Sequence, residues 1–283
     1  MTNATFLALQ GPEGTTADLA PIVEAAQAQS GRLSVLHVGP VPLLSYSITA
    51  SPYAMPVIPE GWLGERNKMA DKLAEKQKKT RDHLVKLGLT GEVSTLCVEP
   101  SAMHDLVAIR ALFADISIVQ NSLRDDATAL QNIVYGLLFE APGPVMLNIE
   151  PGTKALAPDT VMIAWNNSVP AARAVRAALP LLKSAKEVII ASFDADPSRW
   201  ADGDNPGADL ATWLSHHGCT VTVEEYVSGR KTVAQAMLDR AQEHAADLVV
   251  MGAYGRNRWN VRFFGGTTES MFKQTEMPVL LAH

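Results

Sequence analysis

The stretch ADLVVM at residues 246–251 decides the fold of the second half of this chain. Short apolar runs of this kind are typical of buried strands in a parallel sheet. Pro278 follows 31 residues after Asp247, and a second apolar run at residues 279–281 comes directly after it. The spacing predicts a strand, a loop with a helix, and a closing strand.

The first half repeats this pattern. The stretch ADISIV occupies residues 114–119, and Pro144 with the apolar run 145–147 follows 29 residues after Asp115. The two spacings agree to within two residues, which indicates an internal repeat. The same fold is therefore expected in both halves.

Three further strands are predicted ahead of this pattern in each half. They fall at residues 6–9, 33–38 and 92–98 in the first half and at residues 161–165, 187–193 and 220–227 in the second. Helical patterns separate them, as at Val233, Met237, Ala241 and His244. Strands that alternate with helices imply a parallel sheet covered on both faces. The predicted fold is α/β, with two tandem open five-stranded parallel-sheet domains.

Proline and glycine mark the boundaries of the domains. Residues 149–158 contain Pro151, Gly152 and Pro158 and make the natural linker, which gives domains at residues 1–152 and 153–283. Five prolines between residues 40 and 61 predict a loop insertion in the first domain.

The charged run at residues 65–86 resembles a nucleic-acid patch at first sight. Its apolar positions, however, recur at helical spacing on one side, which favours a helix with a solvated charged face. These positions are Met69, Leu73, Thr80, Leu84 and Leu87.

Composition excludes several classes of function. The chain has 283 residues and a formal net charge of -6, which disfavours coating of nucleic acid or binding to anionic membranes. It has no apolar run near the roughly 20 residues that span a bilayer and no readable secretory signal. The two cysteines, Cys97 and Cys219, are too few for a disulfide scaffold. We expect a cytoplasmic protein.

The residues best suited to bind a ligand follow the predicted strand that ends at Met251. Glycines there allow close approach of the backbone to a ligand, and the start of a helix near Thr267 favours an anion. Arginines add positive charge that suits phosphate, and a threonine can serve as N-cap. The residues concerned are Gly252, Gly255, Arg256, Arg258, Arg262, Gly265, Gly266, Thr267 and Thr268.

The spacing of Gly252, Gly255 and Gly265 resembles that of nucleotide-binding universal stress proteins, which carry Gly, two residues, Gly, nine residues and Gly. The resemblance extends over the second half and, more faintly, over the first. It implies a tandem universal stress protein with Rossmann-like, adenine nucleotide alpha hydrolase-like domains. It also implies that the second domain binds ATP or a related adenine nucleotide, with Asn166, Phe193 and Met251 completing the site, and that the chain is a homodimer with regulatory protein partners.

Two departures bear on the choice of nucleotide. Gly266 stands directly after the third glycine, where the family usually has Ser or Thr. Asn166, Asn167 and Ser168 stand where the family commonly has Asp-Gly-Ser. Asn166 can donate and accept hydrogen bonds but carries no negative charge.

The first half differs at the same positions. Gln120 and Leu123 replace the first two glycines, and the stretch 120–126 is acidic, so its nucleotide site is expected to be lost. The turn at residues 11–16 lacks the lysine of a phosphate loop, and Glu13 would repel phosphate.

Two other interpretations are weaker. His216, His217 and Cys219 could suggest a metal site, but adjacent histidines on a helix point in different directions. No carboxylate lies at residues 252–268 to act as a base, so binding is favoured over catalysis. The expected role is a stress sensor or regulator. The alternatives are a dimerisation or partner-docking module without nucleotide and, less favoured, a slow nucleotide hydrolase.

Overall fold

The computed structural model of the chain describes residues 3–41, 60–89, 91–194, 207–253 and 266–283, and the structural statements below refer to these residues. The predicted proline-rich insertion falls mostly at residues 42–59, outside the described residues. Most of the predicted glycine loop, residues 254–265, also lies outside them.

In the first half, strands and helices alternate as the sequence predicts. They are β1 (Thr5–Gln10), α1 (Ala20–Ala28), β2 (Arg32–Pro40), α2 (Glu60–Lys86), β3 (Val93–Val98), α3 (Met103–Ala111), β4 (Ile116–Val119), α4 (Ala127–Phe139) and β5 (Val145–Leu147).

The second half repeats this order. Its elements are β6 (Thr160–Trp165), α5 (Val169–Ser184), β7 (Glu187–Phe193), α6 (Ala208–His216), β8 (Val221–Tyr226), α7 (Val233–Glu243), β9 (Leu248–Gly252), α8 (Gly266–Lys273) and β10 (Val279–Ala282). The predicted domain boundary near residue 152 falls between β5 and β6.

The strands form one ten-stranded sheet in the order β3-β2-β1-β4-β5-β10-β9-β6-β7-β8. All pairs are parallel except β5 with β10, which are antiparallel and align Leu147 with Val279 and Val145 with Leu281. The closing strands of the two halves thus pair with each other, which removes both from the sheet edges. Because this pair is antiparallel, the carboxyl ends of the parallel strands lie at opposite edges of the sheet in the two halves.

A hydrophobic core covers each face of the sheet. One core packs α1, α2, α5 and α6 against the sheet, and the other packs α3, α4, α7 and α8. Alternation along each strand sends successive side chains to opposite cores, as at Val188 and Ile190 on one face and Ala191 on the other. Each core contains residues of both halves, so the halves bury one another's apolar surface.

The strand registers confirm the alignment of the repeat. Thr5 aligns with Arg32 in the first half as Thr160 aligns with Glu187 in the second. Asp115 Oδ2 accepts a hydrogen bond from the Thr5 amide at 2.7 Å, and Asp247 Oδ2 accepts one from the Thr160 amide at 3.1 Å. The two aspartates that open the repeated stretches therefore have the same structural role, which is to hold the start of a neighbouring strand.

Arg124 joins the two halves. Its guanidinium donates hydrogen bonds to the carbonyls of Phe272 and Gln274, both at 3.1 Å, and to Asn148 Oδ1 at 2.6 Å. Asn148 Nδ2 in turn donates to the Met277 carbonyl at 2.9 Å. A cation at the carboxyl end of α8 satisfies carbonyls that have no partner within the helix. The stretch that takes the place of the glycine loop in the first half thus forms part of the contact between the halves.

Helix α2 carries most of the predicted charged run. Leu73, Thr80 and Leu84 are buried, as their helical spacing predicts. Leu87 is an exception: it follows the end of α2 and is 38% exposed, so its assignment to the apolar side was wrong. No helix in the described part of the chain is long and apolar enough to cross a membrane.

Candidate functional site

The predicted site lies where the order of strands in the second half reverses. The chain leaves β6 through α5 towards β7 on one side, whereas β9 leads through α8 to β10 on the other. A crevice opens outside the carboxyl ends of two parallel strands at such a point, and ligands of open α/β sheets bind there. We refer to this place as the β6–β9 crevice.

The end of β6 presents Asn166. Its side chain is exposed, and Asn167 follows in the left-handed region with φ of 51°. Ser168 then caps α5, because its Oγ accepts a hydrogen bond from the Ala171 amide at 3.2 Å. The Ser168 hydroxyl therefore serves the helix, and Asn166 is the residue of this turn best placed to meet a ligand.

The end of β9 packs tightly against α5. Met251 is buried, and a Cβ added to Gly252 would lie 2.4 Å from the backbone nitrogen of Ala171. A glycine is thus required at position 252 for packing of the sheet against the first turn of α5. A role for Gly252 and Met251 towards a nucleotide stays a prediction.

Helix α8 begins at Gly266, so Thr267 and Thr268 lie within its first turn. The expectation that one of them serves as N-cap was wrong, because the helix starts one residue earlier than the sequence suggested. Thr268 is 6% exposed and faces inward, whereas Gly266 is exposed with open space around an added Cβ. The start of α8 at Gly266 is therefore the accessible part of this turn.

The remaining predicted residues lie outside the described part of the chain. They are Gly255, Arg256, Arg258, Arg262 and Gly265.

The end of β7 carries an aromatic pair and an ordered carboxylate. The ring of Phe193 stacks on that of Tyr226, with centroids 5.4 Å apart, and packs against the core that contains α7 and α8. Asp194 accepts hydrogen bonds from the amide and the hydroxyl of Ser228, which lower the pKa of its carboxyl. Sequence reasoning missed Asp194, although a carboxylate directly after a predicted strand was a visible signal.

Ser192 is the second residue that sequence reasoning missed. It is 2% exposed, and its Oγ has no hydrogen-bond partner among the described residues. Its neighbour in the register is Trp165, the last residue of β6, so Ser192 sits one strand away from the crevice. A buried hydroxyl without a partner costs free energy unless a ligand or water satisfies it.

The described residues of the β6–β9 crevice offer several polar groups. Asn166 is exposed at the end of β6, and α8 begins at the exposed Gly266, whose amide and the next ones have no partner within the helix. The buried Ser192 hydroxyl, which has no partner among the described residues, lies one strand away. Free amides at a helix start suit an anion such as phosphate.

The first half differs at the position equivalent to Gly252. Gln120 takes the position of Gly252, and it donates from Nε2 to the Asp18 carbonyl at 2.9 Å. The Nε2 of Gln10 donates a hydrogen bond to Gln120 Oε1 at 3.4 Å. The end of β4 thus carries a hydrogen-bonded glutamine where β9 ends in glycine, in line with the expected loss of the site.

The histidines that could suggest a metal site have structural roles. His216 ends α6, His217 caps it, and the ring of His217 lies 4.3 Å from that of Trp213. Elsewhere His104 Nδ1 lies 3.3 Å from a carboxylate oxygen of Asp105 and 3.1 Å from one of Glu140, so the two carboxylates share one imidazole nitrogen at the surface.

Comparisons with known proteins agree with the fold. Residues 158–283 match the family model described as the universal stress protein family. The structure of a universal stress protein from Archaeoglobus fulgidus DSM 4304 matches with a TM-score of 0.66 at 14% identity, covering 98% of this chain and 95% of that chain. A putative universal stress protein from Pseudomonas aeruginosa UCBPP-PA14 matches with a TM-score of 0.59 at 16% identity, covering 99% and 93%.

No curated protein sequence matches the chain. The match to the family model shows that residues 158–283 belong to the universal stress protein family. The match to solved structures shows that the chain as a whole is built as two tandem domains with the fold of that family.

Proposed function

We propose that the second domain binds ATP or a related adenine nucleotide in the β6–β9 crevice, and that the chain acts as a cytoplasmic sensor or regulator in a stress response rather than as an enzyme. The observation that carries the proposal is the match of residues 158–283 to the universal stress protein family. The spacing of Gly252, Gly255 and Gly265 supports it from the sequence.

The physical support lies in the polar groups at the crevice. The start of α8 at Gly266 provides amides for a phosphate, and the arginines of the preceding loop add cations. The exposed Asn166 supports a hydrogen bond to the nucleoside, and Ser192, whose hydroxyl has no partner among the described residues, aligns with the preceding residue Trp165. Since the first half has Gln120 where the second has Gly252, one nucleotide per chain is expected.

The first experiment is mass spectrometry of the supernatant from the denatured, purified full-length chain, followed by calorimetric titration with ATP and adenosine. We expect one site per chain. Two equivalent sites would contradict the asymmetry of the halves, and no binding of either compound would contradict the proposal.

Substitution of Gly265 by valine tests the loop, because the added side chain would block approach of the backbone to the phosphates. The matched control is Gly64→Val on α2, where an added Cβ meets no neighbour. We expect the loop variant to lose ATP binding and the control to keep it. Equal binding by the two variants would refute the role of the loop.

Replacing Arg256 and Arg258 by alanine tests the phosphate contacts. The affinity for ATP should fall by about tenfold or more at low salt, whereas the affinity for adenosine should change little, because cations act on the phosphates. The difference between the two ligands should shrink as the salt concentration rises.

The second candidate function is a docking or dimerisation module. The surface of α3 favours it, since Ile109 is 61% exposed and Phe113, just after the helix, is 89% exposed. Exposed apolar clusters of this kind occur at protein interfaces. If this surface joins two copies as a homodimer, Phe113→Ser should shift the sedimentation coefficient from that of a dimer to that of a monomer without affecting ATP binding.

A further inference from the structure

A cleft of about 630 Å³ lies in the first half at the end of β1 and beside helix α2. We refer to it as the α2 cleft. Its walls are the turn at residues 12–16, the strand residues Gln10 and His37, and one side of α2 between Lys72 and Lys86. Small-molecule sites have volumes of roughly 300–1,000 Å³, and one water molecule takes about 30 Å³. An occupant that fills the cleft is therefore larger than a simple inorganic ion.

Two ion pairs form the outer parts of the walls. Lys72 pairs with Glu13 of the turn, and Lys79 pairs with Glu75 of α2 at 2.6 Å. The negative charge of Glu13, which the sequence suggested would repel an anion, is thus balanced by a lysine from another element. The Lys72 ammonium lowers the pKa of the Glu13 carboxyl, which keeps it ionised and paired.

Lys76 lies between these pairs along α2 and is half-buried. Its Nζ donates to the carbonyl of Gly14, and none of the ion pairs among the described residues includes it. Burial lowers the pKa of the Lys76 ammonium. A partly desolvated cation that is bound to a neutral carbonyl favours an anionic ligand, because an anion would restore the charge pairing that burial removes.

His37 adds a second unsatisfied group to the same walls. It is 1% exposed, its Nε2 lies 3.0 Å from Thr80 Oγ1, and its Nδ1 has no hydrogen-bond partner among the described residues. It aligns with Gln10 in the sheet as Ser192 aligns with Trp165 in the other half. The two unsatisfied buried side chains thus occupy equivalent positions, each beside the end of the first strand of its domain.

The lining offers little to a large aromatic base. Its described rings are the imidazoles of His37 and His83 and the pyrrolidine of Pro12, and the remaining residues are polar or charged. We propose that the α2 cleft binds a small non-aromatic organic anion, with the Lys76 ammonium as its main charge partner and the His37 Nδ1 as a hydrogen-bond partner. The site is separate from the nucleotide crevice of the second domain.

The test is a titration of the full-length chain monitored by NMR of the histidine Cε1–Hε1 signals. The probes are citrate, glycerol 3-phosphate and pyrophosphate, and glycerol is the uncharged control. The His37 signal is assigned by its absence in His37→Gln. We expect a saturable shift of this signal with at least one organic anion and none with glycerol. Absence of a saturable shift with all three anions would overturn the proposal, and a shift with pyrophosphate alone would contradict the organic class of ligand.

Charge variants on α2 provide the control. Lys76→Gln should weaken binding of the active probe by about tenfold or more, because it removes the buried charge partner. Lys76→Arg should retain most of the binding, and Lys78→Gln, an exposed lysine outside the lining, should bind like the unaltered chain. Thermal unfolding of each variant verifies folding. Equal weakening by the substitutions at positions 76 and 78 would show non-specific attraction and refute the site.

The outcome is independent of the proposed nucleotide site. Gly265→Val should leave the anion titration unchanged, and Lys76→Gln should leave ATP binding unchanged. If ATP competes with the anion for the shift of the His37 signal, the α2 cleft takes nucleotide and the proposed class of ligand is wrong.

Discussion

Acidification should destabilise this protein through His37. Burial of the imidazole, together with the nearby Lys76 ammonium, lowers the pKa of His37 from 6.5 to about 4. The other charged and titratable groups that line the same cleft come from the turn and from α2: Glu13, Lys72, Glu75, Lys79, Asp82, His83 and Lys86. Between pH 6.5 and 4 the unfolded chain binds a proton that the folded chain does not bind. The free energy of unfolding therefore falls as the pH falls through this window.

The size of the effect follows from the two pKa values. The full difference between 6.5 and about 4 corresponds to about 3 kcal/mol, and it is reached only when the pH falls to about 4 or below. At pH 5 nearly all unfolded chains carry the proton and few folded chains do, so about 2 kcal/mol of stability is lost relative to pH 7.

The assay is urea unfolding at pH 7 and pH 5. His37→Gln keeps a polar side chain next to Thr80 but does not titrate, so it should lose about 2 kcal/mol less than the unaltered chain between the two pH values. Thr80→Val is the matched control: it removes the hydrogen-bond partner but keeps the imidazole, so it should retain the pH dependence. If His37→Gln and the unaltered chain show the same pH dependence, or if NMR gives a His37 pKa near 6.5, the argument fails.

Two further predictions concern stability. Arg124→Ala removes charge-assisted hydrogen bonds to two carbonyls and to Asn148, and urea unfolding should show a loss of about 2–4 kcal/mol, with a smaller loss for Arg124→Lys. Gly252→Ala should cost about 1–3 kcal/mol, because the added Cβ overlaps the backbone of Ala171. The control is Gly266→Ala, at a position in α8 where an added Cβ meets no described neighbour; it should change the free energy of unfolding by less than about 1 kcal/mol. Equal losses in the two variants would contradict the packing role of Gly252.

The repeat and the sheet could be predicted because they depend on local patterns. Asp115 and Asp247 open equivalent apolar runs in the sequence, and in the structure both hold the start of a neighbouring strand. Each of these features repeats within a short stretch of chain, where spacing alone carries the signal.

The α2 cleft could not be predicted, because its residues are distant in sequence. Gln10 and His37 come from two strands, and Lys76 comes from a helix that begins after the insertion. The charged run predicted a solvated helix face, and its periodicity could not show which lysines turn towards the sheet. Likewise, the tight packing of Gly252 depends on where α5 begins, which is a property of the assembled fold.

The antiparallel junction of β5 with β10 decides how the two proposed sites are arranged. Because the carboxyl ends of the strands lie at opposite edges in the two halves, one ligand cannot bridge the α2 cleft and the β6–β9 crevice. Covalent and packing contacts still connect them. Gln10 of the α2 cleft meets Gln120, whose stretch leads to Arg124, and Arg124 holds the carboxyl end of the helix that starts at Gly266 beside the crevice. Helix α8 is therefore a direct contact between the two halves close to the crevice, since it starts at Gly266 and its carboxyl end is held by Arg124 of the first half.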